Sequence, residues 1–536
     1  MAERVLPVVQ SKIGWMNKFL ITSFATLFIF NLLFLQSYPP PLCDEATYAS
    51  NAEAVIKQGN FGLTIWTAGE PFGRDQNMVH MGRLAALGEA LLFKIIGISW
   101  WAGRFYSLIA WLISTILIYQ IGKRYYNPTV GVAASLLFAA SFKSFLSGHL
   151  GRPDAWANTS LLFAIFILLE LITKQKSFRF AILAGAIGIV PFDYHGNGIW
   201  FLIAFCGVVF IEYGLIKREW RNVFGYALGV VVGATIWMLA HFLPSPAQSW
   251  YQLTAGHNVL GGVSSASGII HNLELFAIWL RESFWTIGGP LGLIDAVFAI
   301  TGIIAALRNR AQIDRVMMTI AVISLLTFAF GMGQKFGMYA YLWMPIFYLM
   351  GAAAIRDWVQ VVRIPVINMQ NKMVWAAIIG GVIALNISGS LWFAYRFKDS
   401  DYVGMSERIQ RSLPKGARVL ADPTWWWSLS ADYKYLNDEY VPYSIAAANA
   451  RRSTDSYDQI VSAMMGELDV NYVLLDEAIA CYDGGGADWI ALKNYVNTNC
   501  QIADAVSGPW NADPNKRYYP LAQKTIIYKC PPKSSS

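Results

Sequence analysis

The sequence predicts a polytopic α-helical membrane protein of about 11 transmembrane helices, with a C-terminal extracytoplasmic α/β domain. Three observations carry this. Hydrophobic residues make up 55% of 536 positions and charged residues only 14%, with 31 Phe, 26 Tyr and 21 Trp, which lies outside soluble composition. Apolar runs recur from residue 19 to residue 395, and basic residues cluster in alternate short loops between them. After residue 400 the pattern changes to charged turns and short β-branched runs. The net charge of +7 therefore encodes topology, and no nucleic-acid partner is indicated.

The first run, residues 19 to 35, has no small-residue cleavage site after it at Gln36 to Pro41, so it reads as a mature span and not a signal peptide. Further runs cover 105–122, 129–146, 156–173, 180–192, 198–214, 223–241, 284–307, 316–331, 336–355 and 373–395. A hydrocarbon core of roughly 30 Å takes about 20 helical residues, so most of these cross with some tilt. Runs 180–192 and 198–214 are short and flank the polar stretch Phe192 to Asn197. They read as two spans meeting at a turn, or as a re-entrant hairpin.

Lys12 and Lys18, with Arg4, precede the first run. Lys123 and Arg124, then Lys174, Lys176 and Arg179, then Lys217, Arg218 and Arg221 occupy alternate loops. So do Arg308, Arg310 and Arg315, and Arg356, Arg363 and Lys372. The positive-inside rule makes those loops and the N-terminus cytoplasmic. The intervening short loops hold only Arg152 and Lys335 as cations, and topology gives no reason for these two.

This divides the chain into a transmembrane domain, 1–399, and a soluble external domain, 400–536. The first contains two external loops, 36–104 and 242–283. Within loop 36–104, Leu84 to Ile98 is interrupted by Glu89 and Lys94, as suits helices lying in the interface. In the tail, strands are expected at Arg418–Asp422, Tyr472–Leu475 and Lys524–Tyr528, and a helix near Asp455–Leu468. The tail is long enough to bury its own core. Cys43, Cys481, Cys500 and Cys530 fall outside, where disulfides form, while Cys206 lies in a span. Their spacing matches no zinc pattern; three pairings and free thiols all stay open.

Chemistry concentrates at two places. Asp44 and Glu45 follow the first span closely, at a depth where charge is costly unless paired or used. Gly148-His149-Leu150-Gly151-Arg152-Pro153-Asp154 forms a very short external loop, which holds Arg152 and Asp154 near the same plane. A lone acidic pair would be an ordinary surface loop. Two acidic sites with the unexplained cations Arg152 and Lys335 instead suggest a pocket for an anionic lipid head group beside a catalytic carboxylate. His149 and His195 read as loop hydrogen-bonders, and Asp295 and Glu170 as members of pairs inside the bundle or at its edge. Trp425, Trp426 and Trp427 read either as a sugar-stacking surface or as an interfacial aromatic cluster.

At these motifs the chain resembles the bacterial ArnT-like and protein O-mannosyltransferase-like glycosyltransferases of the GT-C fold, through most of the membrane region. Asp44-Glu45-Ala46-Thr47-Tyr48 resembles the family's Asp-Glu-Ala-x-Tyr signature, followed by Gly69-Glu70-Pro71-Phe72. Ala90 to Lys94 and Trp101 to Arg104 are similar to the entry into its second span. Arg152-Pro153-Asp154-Ala155 resembles its second acidic motif, and Lys335, Tyr339, Tyr341, Leu342 and Pro345 its late basic and Tyr-Leu-x-x-Pro pattern. The chain departs from the family where Arg74-Asp75-Gln76-Asn77-Met78 replaces an Asp-Lys-Pro-Pro-like run, leaving Arg74 or Arg83 to stand in for the lysine.

The resemblance implies transfer of a sugar from a polyprenyl phosphate to a lipid, glycan or protein acceptor at the outer face of a bacterial plasma membrane. It implies Asp44 as general base, with Glu45 and Asp154 orienting it, and inversion at the anomeric carbon. Lys335, Arg152, Arg74, Tyr48 and Tyr341 are then expected at the donor phosphate. No cofactor is firmly implied; oxygen ligation of a divalent cation by Asp154 and Glu45 is compatible with the motifs, but two scattered carboxylate sites do not establish a metal. The rival class is a transporter or flippase of an anionic lipid-linked substrate, against which stands the lack of an internal repeat. A receptor or assembly scaffold gives no reason for external cations.

Overall fold

A long helix, α1 (Leu6–Phe34), carries the first apolar run and hands the chain to two amphipathic helices, α2 (Cys43–Lys57) and α3 (Arg83–Ile96). The computed structural model describes residues 6–36, 38–39, 41–66, 73–79, 82–252, 266–286, 289–309, 311–331, 335–361, 371–396, 401–450, 453–476, 487–507 and 524–531. The Gly69 to Phe72 match, Cys481, Arg4, Arg310 and Arg363 lie outside the described residues.

The membrane helices follow in chain order: α4 (Trp100–Ile121), α5 (Pro128–Ala140), α6 (Phe142–Gly148), α7 (Asp154–Thr173) and α8 (Phe178–Ile187). The chain continues through α9 (Val190–Tyr194), α10 (Gly198–Val209), α11 (Trp220–Trp237), α12 (Pro246–Tyr251) and α13 (Ala266–Arg281). The last are α14 (Pro290–Asn309), α15 (Gln312–Gly331), α16 (Met344–Val361) and α17 (Asn371–Arg396). Among the described residues, 7 helices are long and apolar enough to cross a membrane, or up to 8 when the bent pair α5–α6 counts as one span. This count does not confirm the expected 11. The run at 180–192 resolves into the short helices α8 and α9, and run 336–355 begins as a 3-10 segment, Gly337–Leu342, before α16.

Local chemistry explains these breaks. Ser141 has extended backbone and its Oγ accepts from the Ser144 N–H, so one residue ends α5 and caps α6, and the two axes differ by 63°. α8 lies directly against α11, because a Cβ on Gly185 would come 2.1 Å from the Tyr226 carbonyl oxygen and one on Gly229 2.0 Å from that of Ile182. Small residues at such positions let helix backbones approach. Asp193 at the end of α9 accepts from the Leu84 N–H at 3.0 Å and pairs with His241 Nε2 at 2.6 Å, which pins α3 to the bundle. Only 17% of the apolar window in α17 is buried, and Leu385 and Trp392 stand exposed on it, as a lipid-facing helix requires. Inside, Lys143 pairs with Asp295, which also accepts from the Tyr348 hydroxyl, and Glu170 pairs with Arg124. The expected pairing of Asp295 and Glu170 is therefore present.

The C-terminal residues begin with α18 (Tyr402–Arg411) and form a five-stranded sheet. Its strands are β1 (Arg418–Ala421), β2 (Lys434–Asn437), β3 (Tyr472–Asp476), β4 (Gln501–Ser507) and β5 (Lys524–Lys529), in the order β2-β1-β3-β5-β4. β1 runs parallel to β2 and β3, while β5 is antiparallel to β3 and β4. Three strands coincide with the β-branched runs, and a helix at Tyr457–Glu467 with the helical pattern. Cys500 and Cys530 form a disulfide across the β4–β5 hairpin; Cys43 is also disulfide-bonded, and Cys206 is free. The core of this part is not its own alone. It is continuous with Ala46 and Ala49 of α2, Ile65 and Trp66 of the first loop, and Trp100 at the start of α4. Trp425 and Trp426 are buried in that core, Trp425 stacking on Tyr402 with centroids 5.6 Å apart, so both expectations for the tryptophan run are corrected for these two residues.

Candidate active site

The frame of the site is one buried ion pair. Glu45 stands three residues into α2 and reaches back to accept from the Leu42 N–H at 2.8 Å, closing the helix start. Its two oxygens also receive Arg104 Nε at 2.8 Å and Nη2 at 2.9 Å, and the Gly151 N–H at 2.7 Å. Arg104 Nη1 donates to the Leu35 carbonyl at 2.9 Å, and the guanidinium lies 4.0 Å over the Trp100 ring. Both side chains are fully buried. Glu45 thereby locks the end of α1, the start of α2, the start of α4 and the 149–153 loop into one unit.

That unit brings Asp44 and Arg152 together. Arg152 Nη1 pairs with Asp44, and its Nε donates to Asp154 Oδ2 at 2.8 Å. The Tyr48 ring lies 5.8 Å from the guanidinium carbon. His195 Nε2 is 3.7 Å from Asp154 Oδ1, and the His195 ring meets Tyr339 edge to face at 5.1 Å. Burial lowers the His195 imidazole below its ordinary range against the pull of Asp154, so it is neutral there. The three carboxylates differ sharply in access: the side chains of Glu45, Asp154 and Asp44 are 0%, 7% and 36% exposed.

The C-terminal sheet roofs this group. Asp422, directly after β1, lies close enough to Asp44 for the two charges to repel. Tyr402 packs on Trp100 with centroids 5.3 Å apart, and Tyr440 on Trp66 at 4.8 Å.

Other expected residues are placed differently. Lys335 is half-buried beside the Phe328 ring, 5.7 Å from its centroid, and burial pulls its ammonium down to about 8. Phe336, next in the chain, packs on Tyr339, which links this loop to His195. Arg74 is buried with its guanidinium 4.4 Å over Trp66, against the C-terminal residues. Tyr341 is fully buried against Phe138 inside the bundle, its hydroxyl facing Asn158 and Ser144. Its expected place at the donor phosphate is not among the contacts it makes here. His149 binds the Tyr38 carbonyl through Nδ1 at 2.8 Å, as a loop hydrogen-bonder does. Two members of the site escape sequence reasoning. Arg104 stands near the start of an apolar span, a position where charge needs a partner; the carboxylate that His195 faces, Asp154, is distant in the chain, and its near neighbour Asn197 only donates its N–H to Nδ1 at 3.1 Å. Among the described residues no group of three or more His, Cys, Asp or Glu side chains forms a metal site.

Residues 84–241 match the family model "Dolichyl-phosphate-mannose-protein mannosyltransferase". No curated protein sequence matches the chain significantly. Among solved structures, ArnT from Cupriavidus metallidurans in the apo state aligns with a TM-score of 0.63 at 13% identity, covering 97% of this chain and 98% of that one. The same protein bound to undecaprenyl phosphate aligns equally well at 12% identity. The Archaeoglobus fulgidus oligosaccharyltransferase AglB, in complex with an inhibitory peptide and a dolichol-phosphate, aligns at a TM-score of 0.49 and 13% identity over 84% of this chain and 69% of that one. The chain thus has the GT-C fold of an integral membrane protein.

Proposed function

We propose that the chain is a membrane glycosyltransferase that moves a sugar from a polyprenyl-phosphate donor to a lipid, glycan or protein acceptor. The reaction takes place at the outer face of a bacterial plasma membrane, with the N-terminus cytoplasmic. The observation that carries this is the arrangement around Arg152: one carboxylate, Asp44, is open to an incoming group and is aimed by a buried guanidinium. The family match over residues 84–241 and the ArnT-like fold support it.

In this reading Asp44 takes the proton of the acceptor hydroxyl as its oxygen attacks the anomeric carbon. The bond from that carbon to the phosphate oxygen breaks, its electron pair stays on the oxygen, and polyprenyl phosphate leaves. One displacement inverts the anomeric centre. Lys335 offsets the charge growing on the phosphate, and Arg152 shares that task while holding Asp44. Asp154 and His195 orient Arg152 from the other side. Glu45 accepts from four donors already and holds the frame instead of taking a proton.

Purified protein is incubated with membranes and polyprenyl phosphates carrying labelled mannose, glucose, galactose or arabinose. Label from one of them is expected to pass to an acceptor with release of polyprenyl phosphate. Retention of label on every lipid would contradict the proposal.

A further inference from the structure

Beside Arg152 a narrow cleft opens between α2, α3 and α4, and it holds a carboxyl group that the mechanism above does not use. Tyr48 and Asn51 line it from α2, Ala85 and Glu89 from α3 and Tyr106 from α4, with Arg152 at its end. It admits only a water-sized group. Glu89 is 5% exposed, and its Oε1 has no hydrogen-bond partner. That oxygen lies against Gly103, where a Cβ would come 3.0 Å from it. Burial first, and the neighbouring Glu45 carboxylate second, push Glu89 well above the usual carboxylate range. In its protonated form it offers both an O–H donor and a carbonyl acceptor. A buried carboxyl oxygen without a partner is unfavourable for folding alone, and is expected where a ligand supplies the partner.

We propose that the Glu89 carboxyl hydrogen-bonds a hydroxyl on one edge of the transferred sugar, making this cleft a sugar-selecting subsite. The inference rests on the glycosyltransferase reading and deepens it. A hydroxyl is the size of the group the cleft admits, and Arg152 at its end ties it to Asp44, where the anomeric carbon must react. Tyr48 and Tyr106 flank the entry with ring surface and hydroxyls.

The test measures dissociation constants without acceptor, for plain polyprenyl phosphate and for polyprenyl phosphates bearing mannose, glucose, galactose or arabinose. Wild type is expected to prefer one sugar-bearing lipid over the plain lipid. Glu89→Leu should cut that preference about tenfold, with plain-lipid binding unchanged, whereas Glu89→Gln keeps most of it because an amide also donates and accepts. Gly103→Ala, whose Cβ would crowd Oε1 at 3.0 Å without altering the chemistry of the carboxyl, should act like Glu89→Leu and serves if the leucine protein does not fold. Equal weakening of plain and sugar-bearing lipids, or no change in preference in either variant, would overturn the subsite. Failure of the wild type to bind any of these lipids would instead sink the glycosyltransferase reading itself.

Discussion

At the scale of single residues, the site separates three carboxylates that lie close in sequence or in space. Glu45 and Arg104 form a pair with no exposure. Removing one charge from such a pair leaves the other uncompensated, at a cost of about 3 to 5 kcal/mol. Glu45→Gln is therefore expected to lower the melting temperature of the purified protein strongly, not to act as a mild kinetic variant. A normally stable Glu45→Gln protein that cannot transfer sugar would make Glu45 a catalyst. Lys335 gives a prediction with a pH sign. Burial holds its ammonium at about 8, so the charge offered to phosphate is complete below that pH and is lost as pH rises through it. Donor affinity should fall on the alkaline side in wild type. Lys335→Met should bind more weakly by about 1 to 3 kcal/mol at neutral pH and show a flatter profile. Wild-type affinity in the methionine protein would remove Lys335 from the phosphate. Asp44, Arg152 and Asp154 were legible in the sequence because external cations and membrane-depth carboxylates are rare. The role of Glu45 was not, because its partner Arg104 lies 59 residues away.

At the scale of elements, the carboxyl ends of β1, β2 and β3 place Asp422, Asp438 and Asp476 together under the sheet edge. Burial, then repulsion from Asp422, raises Asp476 to about 7, while its oxygens accept from Trp425 Nε1 and the Thr525 hydroxyl. A raised carboxyl means the folded protein holds a proton that the unfolded chain releases above the ordinary 3.8. Its contribution is complete below that value and is lost progressively as pH rises toward 7. Asp476→Asn keeps an acceptor and removes the charge, so it should stabilise the protein more at pH 8 than at pH 5, by roughly 1.4 kcal/mol per unit of displacement relieved. Thermal unfolding at the two pH values checks this; equal effects at both would contradict the raised value. The strands themselves were legible from β-branched runs. The α5–α6 break was not, since it turns on the single capping side chain Ser141 inside the one predominantly apolar run 129–146.

At the scale of the whole molecule, apolar periodicity and one-sided cations located the membrane bundle, but helix length could not be read from hydropathy where short helices meet, as at α8 and α9. The shared core was also hidden, because which apolar face covers which depends on the packing of segments more than 370 residues apart, such as Trp66 against Tyr440. Topology remains a prediction from charge: reporter fusions at residues 310 and 450 should report opposite compartments. Both on one side would separate Asp44 from the face assigned to it.

The central claim, that Asp44 takes the acceptor proton, is tested most directly by the transfer rate of Asp44→Asn at saturating donor and acceptor, with donor affinity measured on the same preparation. An amide keeps the shape and hydrogen bonding of the carboxylate but accepts no proton, so the rate should fall about 10²- to 10⁴-fold while the protein folds and binds donor. Near-normal turnover in Asp44→Asn, with Asp154→Asn abolishing it, would contradict the account and move the base to Asp154.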